Sequence, residues 1–151
     1  MNQLQIIIDS SGSMKETAKL YILRNILHEI EQFKRLKLAD FTFKIFAVNS
    51  EMTEIPWNVD EEFDISLIHC NKSFDATLLN KLPPAENARY LLLSDGCWSG
   101  PRNTPLRSWI SKQPQNFVRI LKIGADYTDP RFETCKVFDA ENIFAALDNW
   151  F

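Results

Sequence analysis

The segment IIIDSSGSM, residues 6–14, places an apolar run directly before one carboxylate and three serine hydroxyls. The three isoleucines predict a strand that is buried on both faces. An oxygen-rich exit from such a strand has two ordinary explanations, a turn whose side chains bond the local backbone and a cap for the following helix. A third explanation is a cation site, because hard divalent cations prefer carboxylate and hydroxyl oxygens. The residues that follow the other predicted strands bear on the choice between these alternatives.

The composition predicts one ordinary globular domain over residues 1–151, with 45% hydrophobic and 25% charged residues. The net charge of -3 and the lack of a basic run argue against a nucleic-acid partner. No apolar window approaches the length of a membrane span, and the amino-terminal MNQLQ has no basic leader before an apolar run. We therefore expect no membrane association and no signal peptide.

The three cysteines are widely spaced and form no CxxC motif. This pattern is typical of a reducing compartment and speaks against a zinc ribbon or a disulfide framework. The sequence therefore predicts a cytoplasmic protein.

Strand and helix patterns alternate along the chain. Predicted strands cover 4–8, 41–48, 90–93, 117–123 and 136–138, with an edge strand at 53–57, and predicted helices cover 15–36, 77–82, 104–112 and 139–151. In the first helix the apolar stripe begins at Leu20 and continues through Leu23, while lysine, arginine and glutamate occupy the other face. The alternation predicts an α/β fold with a doubly wound, mostly parallel central sheet and helices on both faces.

Oxygen-bearing side chains follow several elements at the predicted carboxyl edge of this sheet, where parallel strands place their exits together. They are Asp9, Ser11 and Ser13 after the first strand, Asp95 after 90–93, and Asp75 and Thr77 before the short helix. Such a set suits Mg²⁺, Mn²⁺ or Ca²⁺ rather than zinc or copper. A cation that some carboxylates reach only through water stays electron-poor and gains by binding a carboxylate from another molecule. The pattern therefore favours partner binding over catalysis.

This arrangement resembles the von Willebrand factor A (vWA) family with its metal-ion-dependent adhesion site. The family signature D-x-S-x-S matches residues 9–13, and its T-D-G motif matches Ser94-Asp95-Gly96. A threonine in an intermediate loop completes the signature, and Thr77 is the candidate, with Ser73 as the alternative. The resemblance covers nearly the whole chain and implies a Rossmann-like vWA fold.

The resemblance also implies a role for each site residue. Ser11 and Ser13 would coordinate the cation directly, Thr77 and Asp95 directly or through water, and Asp9 would hold the bound waters and the serine hydroxyls. Mg²⁺ is the expected cation, with Mn²⁺ and Ca²⁺ as alternatives, and an Asp or Glu of a protein partner would complete the octahedron.

Two further residues are candidates for partner contact. Asp75 occupies a position where the family often has glycine, and it adds a negative charge beside the cation. Trp98 follows Asp95 closely, and an exposed tryptophan there would suit an interface, although packing over the domain's own core explains it equally well.

The resemblance implies an interaction module without catalysis of its own. Stand-alone bacterial relatives work with AAA+ ATPases of the MoxR type or within stress and defence gene clusters, so an adaptor role is expected.

Two alternatives stay open. Haloacid-dehalogenase-like phosphatases also begin with an apolar strand that ends in a nucleophilic aspartate, here Asp9, and Asp126 and Asp129 could supply their acidic motif. Ser11 stands where those enzymes carry an acid, however, and a hydroxyl is a poor proton donor near neutral pH. The second alternative is a vWA fold that serves as a scaffold without metal.

Overall fold

The apolar run of the opening segment belongs to strand β1, Asn2–Asp9, in the middle of a six-stranded sheet. The computed structural model describes residues 2–96, 104–124 and 136–151. The other strands are β2 (Phe41–Val48), β3 (Met52–Ile55), β4 (Ala88–Ser94), β5 (Val118–Lys122) and β6 (Lys136–Asp139). Their order is β3-β2-β1-β4-β5-β6, and β3 pairs antiparallel with β2 while all other neighbours are parallel. This topology confirms the predicted doubly wound, mostly parallel sheet.

Helices cover both faces of the sheet. They are α1 (Thr17–Arg35), α2 (Thr104–Ser111) and α3 (Ile143–Leu147), and 3₁₀ turns cover Gly12–Lys15, Ile65–Leu67, Ala76–Lys81 and Ala140–Asn142. Ile6 and Ile8 pack in the apolar layer that contains α1 and α3, whereas Ile7 packs in the layer that contains α2. Burial on both faces therefore explains why β1 reads as a continuous apolar run.

The predicted last helix is shorter than its apolar pattern. It ends at Leu147, because Asp148 takes an extended backbone conformation and Asn149 a left-handed one with φ 52°. Trp150 is nevertheless buried, and its indole N–H donates to the Asn116 carbonyl at 2.6 Å. Phe151 stacks on Phe41 with ring centroids 4.6 Å apart. The apolar spacing at the end of the chain thus indicates which residues are buried, and it does not indicate how far the helix extends.

The short elements also differ from expectation in type. The segment predicted as a short helix at 77–82 forms the 3₁₀ turn Ala76–Lys81, and the predicted edge strand ends at Ile55, one residue before Pro56. A proline cannot donate a ladder hydrogen bond, so the strand stops where the backbone donor is lost. No helix in the described part of the chain has the length and apolar content needed to cross a membrane.

Candidate cation site at the carboxyl edge of the sheet

The exits of β1 and β4 lie side by side at one edge of the sheet. β1 pairs in parallel with β2 on one side and with β4 on the other, so the chain changes direction across the sheet between them. In open α/β sheets this switch point leaves a crevice outside the carboxyl ends of the strands, where ligands bind. Asp9 is the last residue of β1, and Asp95 directly follows β4.

Asp9 is a buried carboxylate with hydrogen bonds to both oxygens. It is 1% exposed, and its Oδ1 accepts from the Ser11 N–H at 2.9 Å while its Oδ2 accepts from the Ser94 hydroxyl at 2.6 Å. Burial raises the pKa of Asp9; the bonds from Ser94 and Ser11 oppose that shift, and the nearby Asp95 carboxylate adds to it. The Asp95 carboxylate thus adds to the cost of ionising Asp9, which burial dominates.

The hydroxyls of Ser11 and Ser13 face one another across 3.2 Å. A hydrogen bond from the Gly12 N–H to the Lys72 carbonyl at 3.0 Å fixes their loop. Adjacent oxygen ligands around octahedral Mg²⁺ lie about 3 Å apart, given metal–oxygen distances of about 2.1 Å. The separation of the two hydroxyls therefore fits two neighbouring positions on one small cation.

Asp95 is fully buried, and the next residue fixes the turn that follows it. Gly96 has φ 74°, a left-handed conformation that glycine adopts without the strain of a Cβ atom. The Gly96 N–H donates to the Ser94 hydroxyl oxygen at 3.2 Å, and the same hydroxyl donates to Asp9. Ser94 thus links the exits of the two strands.

Lys19 contributes a buried positive charge that the sequence pattern did not assign to the site. Its Nζ lies 3.2 Å from Asp95 Oδ2 and donates to the Ser13 carbonyl at 3.3 Å, and the residue is 8% exposed. The prediction that the lysines of α1 lie on the polar face is therefore wrong for Lys19. The spacing of Lys19 indicates its burial. Lys19 precedes Leu23 by four residues, so it lies on the same face of α1 as the buried apolar stripe.

Cys70 also lies within the electrostatic reach of this cluster. Burial raises the pKa of its thiol, and the carboxylates of Asp9 and Asp95 raise it further. The thiol is therefore kept neutral, which is the opposite of what a nucleophilic cysteine needs.

Thr77 and Asp75 form a pair of their own. The Thr77 hydroxyl donates to Asp75 Oδ1 at 2.6 Å and the Thr77 N–H donates to the same oxygen at 3.0 Å, so Asp75 caps the 3₁₀ turn Ala76–Lys81. A hydrogen bond from the Asp75 N–H to the Asn49 carbonyl at 2.9 Å holds this loop at the end of β2. The Thr77 hydroxyl keeps its oxygen lone pairs while it donates to Asp75, so this bond is compatible with coordination by Thr77, which stays a prediction, as does the alternative, Ser73.

Several predicted positions lie outside the described residues. These are the proposed partner contact Trp98 and the acidic pair Asp126 and Asp129 of the phosphatase alternative. Their roles stay predictions.

The donor set at this edge suits a hard cation that binds hydroxyl oxygen. In the described ranges no three His, Cys, Asp or Glu side chains gather into a metal-binding group. A cation would therefore depend on the serine hydroxyls together with the two carboxylates, a set that fits Mg²⁺ or Mn²⁺ better than softer metals.

Comparison with known proteins gives structural relatives but no sequence family. No protein-family model matches the sequence, and no curated protein matches it. A von Willebrand factor type A structure from Catenulispora acidiphila aligns with TM-score 0.61 and 18% identity over 94% of this chain and 40% of that one. BatB from Bacteroides thetaiotaomicron aligns with TM-score 0.60 and 14% identity over 97% of both chains.

A third relative was crystallised with a metal. Manganese-loaded TRAP protein from Plasmodium vivax aligns with TM-score 0.54 and 15% identity over 99% of this chain and 73% of that one. These likenesses show that the chain has a vWA-like fold. The chain spans less than half the length of the Catenulispora structure.

Proposed function

We propose that this domain is a protein-interaction module that binds a divalent cation, most simply Mg²⁺, and through it an Asp or Glu of a partner. The observation that carries the proposal is the convergence of four oxygen-bearing side chains at the switch point of a vWA-like sheet. They are Asp9, Ser11, Ser13 and Asp95, with the two serine hydroxyls 3.2 Å apart.

The hydrogen bonds of Asp9 favour binding over phosphoryl transfer. A nucleophilic carboxylate needs an oxygen that an incoming phosphorus atom can approach. Asp9 is 1% exposed and both of its oxygens accept hydrogen bonds within the chain. Its geometry instead suits a carboxylate that orients the Ser11 backbone and supplies negative charge behind a cation.

The exposure of the serines favours access by a ligand from outside. When bound, the cation supplies a Lewis-acidic position that an oxygen anion can occupy. Ser11 and Ser13 are partly exposed, whereas Asp9 and Asp95 are buried beneath them. A partner's carboxylate would therefore approach from the serine side of the crevice.

The identity of the partner is inferred from the family resemblance alone. We propose a cytoplasmic partner, with an AAA+ ATPase of the MoxR type as the first one to test. Manganese in the TRAP structure supports Mn²⁺ as the experimental probe for the cation.

The first prediction concerns cation binding. Titration calorimetry of Mg²⁺ and Mn²⁺ into chelator-treated protein is expected to show one saturable site that Ser11→Ala/Ser13→Ala abolishes, because the substitutions remove two hydroxyl ligands. Ser50→Ala, at an exposed serine outside the site, is the matched control. Separate Thr77→Ala and Ser73→Ala titrations decide which loop residue contributes. Cation binding that survives the double substitution would show that the Ser11 and Ser13 hydroxyls are not ligands.

Carboxylate binding has its own readout. Protein-bound Mn²⁺ with coordinated water enhances the relaxation of water protons, and added acetate is expected to lower that enhancement as it replaces the water. An enhancement that is insensitive to acetate would leave cation binding intact and contradict the adhesive role.

A metal-free scaffold is the second candidate, and Lys19 is the observation that favours it. The ammonium group already supplies a positive charge to Asp95 from within the chain. A flat cation titration in the wild type and in variants that lack this charge would support the scaffold.

A further inference from the structure

We propose that Lys19 is a tethered counter-ion of this site, which competes with the divalent cation for Asp95 and thereby sets the affinity for that cation. The proposal rests on the proposed cation-binding function and adds its regulation. It assigns α1 a direct part in the site, through a residue at the helix's first turn.

The contacts of Lys19 place its charge within the donor set. Its ammonium group lies 3.2 Å from Asp95 Oδ2 and 3.3 Å from the carbonyl oxygen of Ser13. Asp95 is fully buried and the Lys19 side chain is 10% exposed, so solvent screens their attraction weakly. A cation that binds Asp95 therefore meets a positive charge that is already in contact with the same carboxylate.

The cost of keeping both positive charges is large. Repulsion between charges a few ångströms apart is strong where the effective dielectric constant is well below that of water, and a divalent ion doubles the repulsion that a monovalent ion would meet. Because burial limits screening, the ammonium group and the divalent cation exclude one another. Cation binding accordingly requires Lys19 to move its head group away from Asp95.

Glu16 gives the displaced ammonium group a second partner. Its Oε1 lies 3.7 Å from Lys19 Nζ, and the Glu16 side chain is 71% exposed. A lysine has four rotatable side-chain bonds, so its head group can turn from Asp95 towards Glu16 while the backbone of α1 stays in place. The structure therefore contains both the partner of Lys19 in the metal-free site, Asp95, and a partner for Lys19 when a cation occupies the site, Glu16.

The competition predicts a divalent affinity below that of the same donor set without the lysine. Removing the positive charge in Lys19→Met or Lys19→Gln is expected to tighten binding at least about tenfold, since tenfold corresponds to only about 1.4 kcal/mol of the repulsion. The glutamine variant keeps a neutral donor for Asp95 in case the methionine variant folds poorly. Lys15→Met is the matched control, because it removes a lysine charge from an exposed position four residues away.

The test is calorimetric titration of Mn²⁺ into the chelator-treated full chain of all four proteins. Tighter binding in the two Lys19 variants and an unchanged affinity in Lys15→Met support the competition. A wild type that binds Mn²⁺ with the same affinity as the Lys19 variants overturns it and leaves the proposed function standing. An equal gain in Lys15→Met also overturns it, since the effect would then be general electrostatics. Flat titrations in all four folded proteins overturn the proposed function and this inference together.

Discussion

The two ends of the central strands bury positive charge in different ways. At the carboxyl end, the Lys19 ammonium group contacts the Asp95 carboxylate. At the amino end, Arg119 donates to the Ala146 carbonyl at 2.6 Å, and its guanidinium lies 4.7 Å from the centroid of the Trp150 ring. Arg89 there stacks 3.6 Å from the centroid of the Phe117 ring and donates to the Trp150 carbonyl.

The difference separates an exchangeable contact from a structural one. A carboxylate attracts cations of either kind, and we propose that a dissolved metal ion replaces the lysine. Carbonyls and rings around a planar guanidinium match its shape and its donors, which a metal ion does not reproduce. The carboxyl end is therefore suited to ligand exchange, whereas the amino end fastens α3 and the following residues to the sheet.

Lys19→Met gives the largest expected change in stability. In chelator, the variant removes the Lys19 ammonium group from the buried Asp95 carboxylate, and we expect the free energy of unfolding to fall by about 3 kcal/mol. Urea denaturation measures the change. Saturating Mn²⁺ should restore most of the lost free energy of unfolding. The double variant Lys19→Met/Asp95→Asn, which removes both charges, should recover stability without metal. A loss that neither condition repairs would mean that Lys19 acts through packing of its hydrocarbon stem.

Arg119→Met tests the opposite end. The variant loses a charged hydrogen bond to Ala146 and the interaction with the Trp150 ring, and we expect a loss of about 2 kcal/mol in urea denaturation. Metal should not restore it, because no ligand of the proposed site is involved. Arg24→Met, which breaks a partly exposed ion pair with Glu62, is the control and should cost less than about 1 kcal/mol. Rescue of Arg119→Met by Mn²⁺ would erase the distinction between the two ends.

Asp9→Asn has the smallest expected effect on the free energy of unfolding, and this substitution should stabilise the fold. Burial holds the folded-state pKa of Asp9 above its ordinary value of 3.8, so the ionised carboxyl weakens the fold as pH rises through the folded-state pKa. In chelator at about pH 7 the variant should therefore have a higher urea midpoint than the wild type. Below about pH 3.8 both chain states are protonated at Asp9, and the difference should vanish. A variant less stable than the wild type at pH 7 would show that the hydrogen bonds from Ser11 and Ser94 outweigh burial.

Local sequence patterns predicted the parts of the site that follow strands. The run before Asp9 and the run before Asp95 each identify a buried strand, and parallel pairing then brings their exits together. Burial of the strands thus determines the position of the acidic residues without knowledge of their contacts.

Residues whose partners are distant in sequence were harder to predict. The charge of Lys19 predicts a place on the polar face, whereas its spacing from Leu23 places it on the buried stripe, and its partner Asp95 lies 76 residues away. Thr77 donates its hydroxyl hydrogen to Asp75, two residues away, and this local bond leaves the oxygen lone pairs of Thr77 available to a more distant group. Charge and motif alone do not decide between such contacts.

The Ser94 hydroxyl that bonds Asp9 joins residues 85 positions apart in the chain. The loop between them must close before this bond can contribute stability, and that closure costs conformational entropy. We therefore expect the site to form only when β1 and β4 have paired. We expect a cation bound there to slow unfolding more than it speeds folding, and so to prolong the lifetime of the folded chain.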